Sequence, residues 1–298
     1  MNSNNINDSK QCINKIVVFD LDETLGYFME FGMFWDSLIH YIKSFNGNKL
    51  NITINQELFN SVLDLYPEFL RPNIINILKY LKKKKHQDKC KKLMIYTNNQ
   101  GPQSWAIHII SYFESKINAK IFDQIIAAFK VQGKRIEICR TTHLKTHEDL
   151  IKCTKIPENT QICFIDDVFY PDMTNDNIYY INIKPYIYDL EFDTIIDRFI
   201  NSGILTKNIN KTLNIDFDYT TFKSYILSQM KKYNHTYTEK LDKAQEIDKI
   251  LSKKILYHLE IFFNETNNSK KKHTKKPITH NKNKDFIKRN KTVKIRVI

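Results

Sequence analysis

The chain has 298 residues, 42% hydrophobic and 12% aromatic, a composition that suits a globular protein with a sizeable core. Its net charge of +13 is lopsided: from residue 269 onward there are twelve Lys or Arg and one acid, leaving only +2 for the rest. A polar start argues against a secretory signal peptide. No apolar run approaches the roughly 18–20 residues of a spanning helix. The five cysteines show no C-x-x-C pair, which points to buried thiols in a reducing, cytoplasmic or nuclear setting rather than a disulfide framework.

In chain order, residues 16–19 (Ile-Val-Val-Phe) form a continuous β-branched run ahead of Asp20, the pattern of a buried parallel strand. The aromatic-rich stretch 27–66 predicts helices over 34–45 and 56–65, with a polar turn at Asn46-Gly47-Asn48. Arg71-Pro72 opens a third helix, since proline is tolerated in a first turn, and Ile74, Ile75, Leu78 and Leu81 recur at helical spacing. Leu93-Met94-Ile95-Tyr96 predicts a second buried strand ending in Thr97-Asn98, and Pro102 starts another helix. A strand pair over 121–130 and 133–140 would turn at Gln132-Gly133. A helix beginning at Thr146 leads to a third buried strand over 161–165, ending in Asp166-Asp167, and 179–183 predicts a fourth. Strands separated by helices imply a Rossmann-like parallel sheet with helices on both faces. Beyond residue 204 the pattern becomes helical with long charged stretches, and from 264 it is polar and basic apart from the alternating end Val293-Lys294-Ile295-Arg296-Val297.

Three strand ends therefore carry polar groups, and in an open parallel sheet the carboxyl edge is where ligands bind. Carboxylates gathered there repel one another unless a hard cation lies between them, and an all-oxygen set suits Mg²⁺. Thr97 and Lys145 would supply donors for a phosphate.

The runs VVFDLDETL, LMIYTN, KTHEDLI and ICFIDD resemble, in order, the four motifs of the haloacid dehalogenase (HAD) superfamily, the first in its DxDxT phosphatase form. EFLRPNIINILKYL resembles the Arg-Pro helix of the branch that holds the RNA polymerase II C-terminal-domain phosphatases and NLI-interacting-factor-like proteins. The resemblance covers residues 15–202. It implies an aspartyl-phosphate mechanism with Asp20 as nucleophile and Asp22 as general acid and base. It makes Thr97 and Lys145 the holders of the phosphoryl oxygens, with Thr24 and Asn98 beside the substrate. Mg²⁺ would sit on Asp20, the Asp22 carbonyl and the Asp166-Asp167 pair, with Asp167 favoured as the direct ligand. The chain departs from the branch in having Asp-Asp where Asp-Asn is usual, and in lacking a BRCT pattern. Asn98-Asn99-Gln100 after Thr97 resembles instead the turn of polynucleotide 3′-phosphatases.

The expected organisation is a flexible N-terminus over 1–12, an HAD-like phosphatase domain over 13–202 with a small cap or insert over 27–70, a helical extension over 203–264 and a basic disordered tail over 265–298. Each signal has a plainer reading. An Asp-rich turn is common loop composition, Asp166-Asp167 can cap a helix, Lys134 and Lys152 rival Lys145, and a charged tail can be merely solvated. Tyr27, Phe28, Phe31, Phe34 and Trp35 either line a substrate aperture or pack a cap onto the core. Small inserts leave the site open to a bulky substrate. A phosphoserine/phosphothreonine protein is the first expectation, with no membrane partner. A polynucleotide 3′-phosphate is the second, the basic tail then contacting nucleic acid. The third is a non-catalytic module that binds nucleic acid or a partner.

Overall fold

Side chains alternate across the strands and both faces are covered. Val17, Phe19, Leu93, Ile95, Cys163, Ile165, Tyr179 and Ile181 enter one buried cluster, while Ile16, Val18, Met94, Tyr96, Ile162, Phe164, Ile178 and Tyr180 enter another. The computed structural model describes residues 14–45, 52–205, 217–265 and 295–298. Its main sheet has six strands, all paired in parallel, in the order β3-β2-β1-β6-β7-β8. These are β1 (Lys15–Phe19), β2 (Lys92–Tyr96), β3 (Gln124–Ile126), β6 (Gln161–Asp166), β7 (Ile178–Asn182) and β8 (Ile295–Val297). The architecture is α/β and compatible with a Rossmann-like fold.

The described helices are α1 (Met29–Phe45), α2 (Gln56–Leu63), α3 (Ile74–His86), α4 (Gln103–Ile117), α5 (His147–Thr154), α6 (Phe192–Asn201), α7 (Tyr219–Lys231) and α8 (Asp242–Asn264). They cover the two faces unequally. Seven of them pack into the larger cluster, whereas Leu150 and Ile151 of α5 belong to the smaller one. Residues of the 27–70 stretch, such as Phe31, Phe34 and Phe59, share the larger cluster with strand residues. So do Phe222, Ile226, Leu259 and Phe262 from the C-terminal helices.

Several expectations change. The strand pair across Gln132-Gly133 shrinks to β4 (Lys130–Val131) and β5 (Lys134–Arg135), an antiparallel ribbon. Both turn residues have positive φ, 49° and 78°, as a two-residue hairpin with right-handed strand twist requires. The other half of that stretch joins the main sheet as β3. α1 starts five residues earlier than the apolar spacing suggests, with Glu30 in its first turn. The tail's end is not structureless: β8 hydrogen-bonds along β7, and the Ile298 N–H donates to the Asn182 carbonyl at 2.9–3.0 Å spacing typical of a ladder, here 3.0 Å. Residues 1–13 and 266–294, and the Asn46-Gly47-Asn48 turn, lie outside the described residues.

The cysteines also need correcting. Cys139 and Cys153, 14 residues apart in sequence, are joined by a disulfide, whereas Cys90 and Cys163 are free and buried as expected. The pair is invisible to spacing rules because one partner follows the β4–β5 ribbon and the other ends α5. No helix among the described residues is long and apolar enough to cross a membrane.

Candidate active site

β1 delivers Asp20 to the carboxyl edge of the sheet, where its N–H donates to the Ile165 carbonyl of β6 at 2.9 Å. The chain then turns at once. Glu23 adopts φ 56° and donates its N–H to the Gly26 carbonyl at 2.8 Å. Gly26 is required by contact, because a Cβ there would meet the Phe69 carbonyl oxygen at 2.4 Å. Arg71, fully buried, fixes this turn from outside. Its guanidinium donates to the carbonyls of Thr24 (2.6 Å), Glu23 (2.5 Å) and Lys184 (3.0 Å).

Lys145 reaches the same point from the N-terminal side of α5. Thr146 caps that helix, its hydroxyl accepting from the Asp149 N–H at 3.0 Å. The preceding loop is pinned by Arg140, which donates to the carbonyls of Thr97 (3.1 Å), Ala127 (2.9 Å), His143 (3.1 Å) and Leu144 (3.2 Å). Lys145 is 1% exposed and its Nζ bridges Asp20 Oδ1 and Asp166 Oδ2, the latter at 2.6 Å. Burial opposes its charge, but Asp20 and Asp166 outweigh burial and hold its pKa above the usual lysine value. The rivals Lys134 and Lys152 are both exposed.

Asp166 is spent on internal contacts: Oδ2 takes Lys145, and Oδ1 accepts from the Val168 N–H at 2.9 Å. Asp167 Oδ1 accepts from the Thr24 hydroxyl at 2.9 Å. Asn182 donates to both backbone carbonyls, each at 3.1 Å. One carboxylate oxygen each of Asp20, Asp166 and Asp167 lies within 4.8 Å of the others. Three carboxylates face one lysine and offer only hard oxygen donors, and burial raises the pKa of both Asp166 and Asp167 above the usual carboxylate value. Such a donor set could hold a hard cation of the Mg²⁺ type on Asp20 and Asp167, with Asp166 beside them already engaged by Lys145 and the Val168 N–H.

Asp22 stands behind Asp20 with Oδ2 accepting from Asn99 Nδ2 at 2.8 Å. Burial, and after it the charge of Asp20, pushes its pKa up to about 7. A carboxyl so placed can both give and take a proton near neutrality. Thr97 is buried at the end of β2, its hydroxyl accepting from the Asn99 N–H at 3.0 Å. Asn98 is drawn instead to the Tyr170 hydroxyl at 3.0 Å.

The structure thus joins Asp20, Thr24, Lys145, Asp166 and Asp167 through direct contacts, with Asp22 alongside. Thr97 reaches Asp22 only through Asn99, and Asn98 contacts neither. Sequence reasoning missed Asn99, Arg140 and Asn182. Asn99 had a signal, since it follows Thr97-Asn98 in the same turn, whereas the other two act on backbone carbonyls and leave no motif.

A cavity of about 610 Å³ opens from Asp22 and Asn99, walled by Tyr27, Phe28, Trp35 and Trp105. Tyr27, Phe28 and Trp35 reach this cavity from a largely buried position, whereas Phe31 and Phe34 are fully enclosed in the core and do not line it. The aromatic stretch therefore divides between an aperture and the core. Compared with protein families, with curated proteins and with solved structures, the chain finds no match.

Proposed function

We propose that this chain is a Mg²⁺-dependent phosphatase of the HAD type, hydrolysing phosphate monoesters through an aspartyl-phosphate on Asp20. The observation that carries the reading is the buried bridge from Lys145 to Asp20 and Asp166, with Asp167 alongside on Thr24. A fold alone needs no such concentration of like charge at one sheet edge. The four motif resemblances fall on these residues.

In this reading the Asp20 carboxylate attacks phosphorus and the substrate's ester oxygen leaves with a proton from Asp22. Asp22 then takes a proton from water, which cleaves the aspartyl-phosphate and returns Asp20. Lys145 holds a phosphoryl oxygen and offsets the charge between nucleophile and substrate. Thr24 keeps Asp167 oriented, and Asn99 keeps Asp22 aimed. The cation, held by Asp20 and Asp167 with Asp166 beside them, would neutralise phosphate charge and let two anions meet.

The aperture favours a phosphoprotein over a nucleic acid end. Its walls are aromatic and its charged lining residues, Asp22, Glu23 and Asp36, are all acidic. A polyanion would meet repulsion there, while an apolar residue beside a phosphoserine or phosphothreonine would find a surface.

Hydrolysis of para-nitrophenyl phosphate, with and without Mg²⁺, tests the chemistry. Activity should need Mg²⁺ and vanish in Asp20→Asn. Turnover that persists in that variant would sink the mechanism. A phosphopeptide should be preferred over a 3′-phosphorylated oligonucleotide, and the reverse preference would assign the 3′-phosphatase reading.

A further inference from the structure

Away from this site, three segments bring ligand-type atoms to one point. Glu30 lies in the first turn of α1, Asp189 in the loop between β7 and α6, and His235 in the connector between α7 and α8. Asn234, in the left-handed region at φ 52°, reverses the chain after α7 and turns His235 inward. Phe192 stacks on the imidazole, ring centroids 6.2 Å apart.

Glu30 Oε1, Asp189 Oδ1 and His235 Nε2 are all buried, and none has a hydrogen-bond partner. Glu30 is 0% exposed and Asp189 6%. The second oxygen of each carboxylate is anchored: Glu30 Oε2 accepts from the Leu190 N–H and Asp189 Oδ2 from the Thr238 N–H, both at 2.9 Å. The Tyr27 hydroxyl stands beside Asp189 and makes its own contact with Met29 Sδ at 3.6 Å. Each carboxylate is therefore anchored through one oxygen, with Tyr27 also hydrogen-bonded to Asp189, while Glu30 Oε1 and Asp189 Oδ1 lie within ion-pair distance of the imidazole.

The spacing decides what belongs between them. His235 Nε2 is 3.4 Å from Glu30 Oε1 and 3.6 Å from Asp189 Oδ1, long for a charge-assisted hydrogen bond of about 2.8 Å. Two atoms each about 2.1 Å from one tetrahedral cation lie about 3.4 Å apart. An imidazole nitrogen with two carboxylate oxygens selects a zinc-class ion over Mg²⁺. We propose that Glu30, Asp189 and His235 form a structural site for a zinc-class divalent cation. It would tie the α7–α8 connector to α1 and the β7–α6 loop, and Glu30 and His235 also line a cleft of about 330 Å³ that leaves room for a water as a fourth ligand.

The test uses the full chain, stripped with chelator and kept free of reductant, with excess Mg²⁺ so that the Asp20 cluster does not compete. Wild type and Asp166→Asn should each retain about one Zn²⁺ per chain after desalting. Glu30→Gln and His235→Gln should lose at least tenfold in affinity while keeping wild-type circular dichroism. Co²⁺ in place of Zn²⁺ should give the intense visible bands of a four-coordinate ion, and Zn²⁺ should slow proteolysis of the 232–241 connector in wild type. Equal zinc retention in wild type and His235→Gln would overturn the site. So would the absence of both zinc retention and connector protection in the wild type, which would leave these atoms as an ion pair with a protonated histidine.

Discussion

Lys145 sits where two carboxylates would otherwise face each other in a water-poor edge of the sheet. Removing a buried cation leaves its partners uncompensated, which costs about 3–5 kcal/mol, whereas removing both sides of a pair costs less. Lys145→Met, unfolded with urea in the presence of chelator, should be destabilised by that order. Adding Asp166→Asn should restore part of the loss, giving a coupling of 1 kcal/mol or more between the two substitutions. Additive effects would mean that the bridge contributes nothing to the fold. Asp20, Asp166, Asp167 and Lys145 were legible from sequence because each stands at a strand end or a helix start, where periodicity stops and a polar residue has only one place to go. Asn98 engages the Tyr170 hydroxyl while its neighbour Asn99 meets Asp22, because within a turn neighbouring side chains point in different directions.

At the scale of elements, the loop that carries Lys145 is closed at both ends by the Cys139–Cys153 disulfide, whose Cα atoms are 5.0 Å apart. Closing a loop of this length restricts the unfolded chain by about 3 kcal/mol. Cys139→Ser should therefore lower stability by up to about 3 kcal/mol, and dithiothreitol should lower wild type to the same value while leaving the variant unmoved. A reductant effect on the variant equal to that on wild type would place the stabilisation elsewhere. The turn after β1 allows a sharper expectation. Gly26→Ala puts a methyl 2.4 Å from a backbone oxygen that cannot swing aside, so it should cost about 2 kcal/mol or more. A thermal melt within 1 °C of wild type would show that the turn yields. Buried strands were readable as apolar runs, because both faces of the sheet are covered. α1 was read short because Gly32 weakens the helical signal near its start, although Glu30 in the first turn suits a helix N-terminus and is held there by the Leu190 N–H. The disulfide and the 184–191 loop depend on which segments meet, and that is written in no local pattern.

Across the whole molecule, charge and structure are divided unevenly. The body is close to neutral, and +11 of the net charge lies from residue 269 onward, yet the same stretch ends in β8, which extends the sheet beside β7. Deleting the tail would therefore confound two effects, because it removes both the basic residues and an edge strand that shields the ladder of β7. Charge must be changed without cutting. Replacing Lys270, Lys271, Lys272, Lys275 and Lys276 with Gln leaves β8 in place and removes five positive charges. If these lysines contact nucleic-acid phosphates, each contact contributes about −0.7 to the slope of log affinity against log salt for a single strand. The five-fold variant should then flatten the slope by up to about 3.5, while turnover of a small phosphate ester stays unchanged. An unchanged slope would make the tail a solvated segment with no role in holding nucleic acid. A fall in turnover would instead tie the tail to the proposed active-site edge, where β7 carries Asn182 beside Asp166 and Asp167.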